Sequence, residues 1–142
     1  MSDSSFAYTD ERFADLQMLR YRLAGFSNLS LSQKKYVFFL SKATLVGRDI
    51  TTDQFGEFNL LIRKTLEAVY TDEAVDRTTA DFKGMEVYLK RVWFSNGIHH
   101  HYGCEKFVPE FSEAWFRKVV AALPRDVWER VGYTSADALL AV

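Results

Sequence analysis

The residues Phe82, Met85, Leu89, Val92 and Trp93 recur at three- and four-residue spacing, and that period commits the segment from about Asp81 to a helix with one buried face. Stripes of the same period run through most of the chain, each bounded by capping signals. Thr9 or Asp10 can cap a first helix whose stripe is Phe13, Leu16, Leu19 and Leu23, with Gly25 at its C-terminal cap. Ser30 and Gln33 have capping-box spacing and open a second helix through Tyr36, Val37, Leu40, Ala43 and Thr44, ending at Gly47. A third covers Phe58 to Tyr70 and buries Leu61 or Ile62, Leu66 and Val69. Thr71 to Ala80 is a loop, and Ser95-Asn96-Gly97 ends the fourth helix. Pro109 and Ser112 open a fifth, with Phe116, Val119, Val120 and Leu123 inward. Pro124 then restarts the chain into a short helix around Val127, Trp128 and Val131, and Ser135 caps a last one.

The polar connection from Arg48 to Gly56 contains Asp49 and Asp53, which invites a calcium-loop reading. Counted from Asp49, the sixth and twelfth positions hold Gln54 and Leu60, where an EF-hand needs glycine and a carboxylate. That reading fails. No repeat, low-complexity tract or Pro/Gly-rich linker interrupts residues 1–142. The expected architecture is one all-α domain of five to seven helices, with an irregular histidine-rich loop after the fourth.

Twelve phenylalanines, seven tyrosines and three tryptophans in 142 residues imply a large core or an apolar interface. A net charge of -1 gives no electrostatic footprint for nucleic acid, and no stretch reaches the length of a membrane span. Cys104 is the only cysteine, so no internal disulfide forms, which suits a reducing compartment. The polar start Met1-Ser2-Asp3-Ser4-Ser5 lacks the pattern of a signal peptide, and a cytoplasmic location is expected. The end, Leu139-Leu140-Ala141-Val142, stops while still apolar, so the expectation is a piece of a longer protein or a last helix that packs on a partner.

All three histidines are consecutive, in Asn96-Gly97-Ile98-His99-His100-His101-Tyr102-Gly103. In an extended strand His99 and His101 project to one face, as in several zinc sites, but a further ligand would have to come from Cys104, Glu105 or a distant carboxylate. No metal ligand and no catalytic residue is assigned. Cys104 beside imidazole lacks the cleft and oxyanion hole of a thiol enzyme. Glu86, Glu105 and Glu110 read as surface charge, and Trp93 as core. Tyr102 can stack on a ligand, and Gly97 and Gly103 can supply positive φ at loop ends.

Several stretches resemble one family, the bacterial branch of the zinc-dependent dipeptidyl peptidases III. They are Phe13-Ala14-Asp15-Leu16-Gln17-Met18-Leu19-Arg20-Tyr21, Gly47-Arg48-Asp49-Ile50 and Met85-Glu86-Val87-Tyr88-Leu89-Lys90-Arg91-Val92-Trp93. The strongest is Phe94 to Pro109, with the histidine run followed by Lys106-Phe107-Val108-Pro109. The resemblance implies removal of N-terminal dipeptides by a zinc held on a His-Glu-x-x-Gly-His helix and a later glutamate. Neither piece is present, since no His-Glu pair exists here. It therefore implies an N-terminal segment of a larger peptidase, inactive alone, with zinc and general base supplied downstream.

The corresponding family loop reads Ser-Gly-Asn-Tyr-x-x-Phe-Gly in eukaryotic members and lines the substrate cleft. Aligned on Gly97 and Gly103, Ile98 stands for its asparagine, His99 for its tyrosine and Tyr102 for its phenylalanine. Imidazole donates a hydrogen bond as a phenol does, whereas Ile98 replaces no amide. The resemblance thus implies a substrate-binding set of Asn96, Gly97, His99, His101 and Tyr102, with peptide as the partner. Homodimerisation, or docking to the missing catalytic portion, is expected of the apolar ends. The alternative is a free-standing, non-enzymatic peptide-binding or protein-interaction module on the same scaffold. A reading frame that continues into a His-Glu-x-x-Gly-His helix selects the first, and a stop after Val142 the second.

Overall fold

The computed structural model describes residues 6–133 and 135–140, Leu139 by its backbone alone. The chain divides into two compact units, residues 1–48 and 49–142. Most of the described residues outside the loops are helical, beside one small two-stranded sheet.

In the first unit the segment expected as a helix is an antiparallel hairpin, β1 (Thr9–Phe13) and β2 (Leu16–Leu19). Of the expected stripe, Phe13 and Leu16 are only half-buried and Leu19 is exposed, so a helix there would have little of the tertiary burial that most helices need. The chain instead reverses at Ala14-Asp15, where Ala14 takes φ 49° and Phe13 pairs with Leu16. Gln17 fastens the turn, its Nε2 donating to the Asp10 carbonyl at 3.0 Å. Gly25 then precedes a 3-10 turn, Phe26–Asn28, instead of closing a helix.

The second expected helix is present as α1 (Leu31–Val46), with Gly47 at its C-cap. Its capping box is complete: the Gln33 amide donates to Ser30 Oγ at 3.3 Å, and the Ser30 amide to Gln33 Oε1 at 2.9 Å.

Helix α2 (Arg48–Gln54), all but its first residue in the second unit, occupies the stretch expected as a polar connection. Asp49 and Thr52, three residues apart and so on one face, both bind Arg63. That shared partner holds the turn helical. Then come α3 (Asn59–Thr71), α4 (Ala80–Ser95), α5 (Glu113–Ala122), α6 (Arg125–Val131) and α7 (Ala136–Leu140). Side-chain oxygens of Thr79 and Ser112 cap α4 and α5, and the Ala138 amide donates to Ser135 Oγ.

Leu66 and Val69 of α3, Phe82, Met85, Leu89 and Val92 of α4, and Val120, Leu123 and Trp128 form the core. Truncating such side chains to alanine costs about 2–5 kcal/mol each. Leu61, Ile62, Phe116 and Val119 are half-buried against it. The apolar chain end expected at Leu139 to Val142 lies outside the described residues, apart from the Leu139 backbone and a half-buried Leu140. Met1 to Ser5 lie outside them as well. Among the described residues, no helix is long and apolar enough to cross a membrane.

Candidate functional site

The last turn of α4 hands the chain over at Asn96, which takes the left-handed C-cap at φ 55°, ψ 31° while its amide donates to the Val92 carbonyl. Positive φ therefore falls on Asn96. Gly97 and Gly103, expected to supply it, do not have it. Gly97 is needed for space instead, because a Cβ there would run into the side-chain amide of Asn59.

From Ile98 the chain forms a short hairpin. Phe107 donates to the Ile98 carbonyl at 2.8 Å, and His100 to the Glu105 carbonyl at 2.8 Å, while His99 and Lys106 pair as an antiparallel bridge. A turn closes it, with the Gly103 amide on the His100 carbonyl at 3.0 Å. His101 thus starts the turn, so the extended-strand geometry that would align it with His99 ends one residue short. The Tyr102 amide donates to His100 Nδ1 at 3.2 Å, which leaves the proton of a neutral His100 ring on Nε2.

Aromatic faces hold the tip together. The His100 and His101 rings stack with centroids 4.4 Å apart, and the Phe94 ring meets His101 edge-on at 4.8 Å. The Arg91 guanidinium lies over the Phe107 ring at 5.2 Å, tying the returning strand to α4. Tyr102 is 90% exposed, and Cys104 is exposed and free.

Two helices clamp the base. Asn59, 2% exposed at the start of α3, accepts from the Ile98 amide on Oδ1. On the outgoing side the Ser112 amide donates to Asp81 Oδ1 at 2.7 Å. Gly84 lets the chain cross α4 at backbone distance, since a Cβ there would strike the Glu110 carbonyl. Sequence reasoning missed Asn59 and Gly84. Asn59 stands where a helix start makes asparagine unremarkable, and Gly84 sits silently inside a helical stripe.

Behind Asn59, the buried Arg63 binds Thr52 Oγ1 at 2.9 Å, and Asp49 and Glu67. Glu67 in turn accepts from Trp93 Nε1 at 2.7 Å. The Arg63 hydrogen bond holds the Asp49 carboxyl below the usual carboxylate range. Trp93 therefore carries a polar tether besides packing beside the core.

The structure gathers Asn96 and Gly97 at the hairpin base, His99 along one strand, and His101 and Tyr102 at the tip. None of the five lines either of two cavities nearby. One, about 520 Å³, lies among Phe58, Ile62, Tyr88, Phe111 and Phe116. The other, about 560 Å³, lies among Lys64, Asp72, Glu73 and Arg130. Burial in the first raises the Tyr88 pKa. Among the described residues, no three of His, Cys, Asp and Glu come together to hold a metal ion. The stacked His100 and His101 present ring faces to each other, which does not converge their nitrogen lone pairs. The sequence matches no protein-family model, and no curated protein matches it significantly.

Proposed function

We propose that this chain is the helical, substrate-contacting part of a dipeptidyl peptidase III-like zinc exopeptidase, and that the hairpin from Ile98 to Lys106 forms one wall of its peptide cleft. One observation carries the reading: a surface hairpin rich in hydrogen-bonding rings is anchored by a part-buried hydrogen bond to Asn59 of α3, and the chain leaving it by an exposed one to Asp81 of α4. Rigid support beneath exposed polar side chains is what a binding wall needs. In this reading the His99 imidazole donates to a peptide carbonyl, and Tyr102 packs on or hydrogen-bonds the chain passing the tip. Asn96 and Gly97 set the angle at which both are shown.

The donor set described here does not fit zinc, and no ligand is assigned to this chain. Metal and general base belong, in this proposal, to sequence outside it, so the chain alone binds peptide without cleaving it. A cytoplasmic location is part of the same reading.

The test is a titration of the isotope-labelled chain with a tetrapeptide bearing a free N-terminus, followed by amide NMR. Shifts concentrated in residues 96–107, weakened by His99→Ala and Tyr102→Ala, support the proposal. Absence of shifts at millimolar peptide, or shifts confined to the cavity around Phe111, ends it.

A further inference from the structure

Helix α1 buries none of its sixteen residues. Tyr36, Phe38 and Phe39 are 68%, 56% and 66% exposed. With about 150–250 Å² per aromatic side chain, these three rings alone leave on the order of 400 Å² open. Leu31, Val37, Leu40, Leu45 and Val46 add to it.

The apolar residues do not keep to one side. At 3.6 residues per turn, Phe38 and Leu45 fall on the side that carries Lys34 and Lys42, while Tyr36, Leu40 and Ala43 fall opposite. A helix lying in a membrane interface separates its charged and apolar faces. One that is apolar all round is enclosed by protein.

Charge narrows the occupant. From Leu16 to Arg48 there are six cationic residues, Arg20, Arg22, Lys34, Lys35, Lys42 and Arg48, and no carboxylate. The rest of the chain carries twelve cations against nineteen carboxylates. Two copies joined α1 to α1 would set lysines against lysines. We infer that α1 is a docking helix for an apolar protein groove rimmed by carboxylates, Lys34 and Lys42 meeting the rim while Tyr36, Leu40 and Ala43 on the opposite side fill the floor. The inference does not depend on the peptide-cleft reading.

The experiment uses the full chain, fluorescently labelled at Cys104, which lies in the other compact unit. The probes are a synthetic Leu/Glu amphipathic helix, its Leu/Lys counterpart and phosphatidylglycerol vesicles, with sedimentation of the chain alone. The expected result is at least about tenfold tighter binding of the Leu/Glu helix than of the Leu/Lys helix, weakening as salt rises. The double variant Lys34→Glu with Lys42→Glu loses that preference at unchanged helical content. If it loses helicity, Ser41→Glu, which removes no apolar contact, serves as the second variant and must weaken the Leu/Glu probe. Equal binding of both peptides overturns the inference, as does stronger binding to the vesicles or self-association that buries α1.

Discussion

Asn59 and Ile98, thirty-nine residues apart, are joined by a 3.3 Å hydrogen bond from the Ile98 amide to the buried Asn59 side-chain oxygen. That bond couples the first turn of α3 to the point where the histidine hairpin begins. The hairpin's aim is therefore set by a helix that contributes nothing to its surface.

Replacing Asn59 by alanine leaves the Ile98 amide without its partner in a half-buried setting, a loss of about 1 kcal/mol. Urea denaturation measures it. Hydrogen exchange at the Ile98 and Phe107 amides is expected to accelerate beyond what the global loss explains. An unchanged exchange pattern would show that the bond does not hold the hairpin.

Gly97→Ala forces a methyl group into the Asn59 amide. The expected cost is about 1–3 kcal/mol, as for other overpacked sites. Pairing it with Asn59→Ala removes the colliding atoms, so the double variant should be less destabilised than the sum of the singles by about 1 kcal/mol. Strict additivity would assign the glycine a different role.

Asp49 titrates below the ordinary carboxylate range because Arg63 hydrogen-bonds its ionised form. A depressed folded-state pKa means the stabilisation is complete above the unfolded value, about 3.9, and is lost as pH falls through the lower folded value. The stability gap between the native chain and Asp49→Asn should hold from pH 7 to about pH 5 and close in stronger acid. Denaturation midpoints across that range decide it, and a gap independent of pH would contradict the ion pair.

Tyr102 touches the molecule mainly through neighbouring imidazoles and is almost wholly exposed. Tyr102→Ala should leave stability within about 0.5 kcal/mol. Any fall in peptide affinity for that variant is then loss of contact, measured by the same NMR titration. A large stability loss would mean that the ring is structural.

Much of the helical architecture was legible because its signals are local. The Ser30–Gln33 capping box, the Phe82-to-Val92 stripe and the caps at Ser112 and Ser135 are each decided within one turn. The hairpin at Thr9–Leu19 was not, because Phe13, Leu16 and Leu19 fit a helical period while the deciding fact, how little of that stripe is buried, is tertiary. Helix α2 was hidden for the converse reason, since its polar residues are held by Arg63, eleven residues beyond Thr52. In the candidate site, the imidazoles and Tyr102 stood out by composition. Their supports, Asn59 and Gly84, act by shape and buried polarity at a distance in sequence, and no periodic signal announces either.

Gly84 has a consequence for how this segment can change. With Glu110 pressed onto α4 at that glycine, and Ser112 fastened to Asp81, the chain leaving the hairpin is held at residues 110–112, just as the chain entering it is held at Ile98. Extra residues at Ile98, or between Glu110 and Ser112, would undo a clamp. The bend from His101 to Cys104 is the natural place to graft foreign sequence while the helices underneath stay as they are.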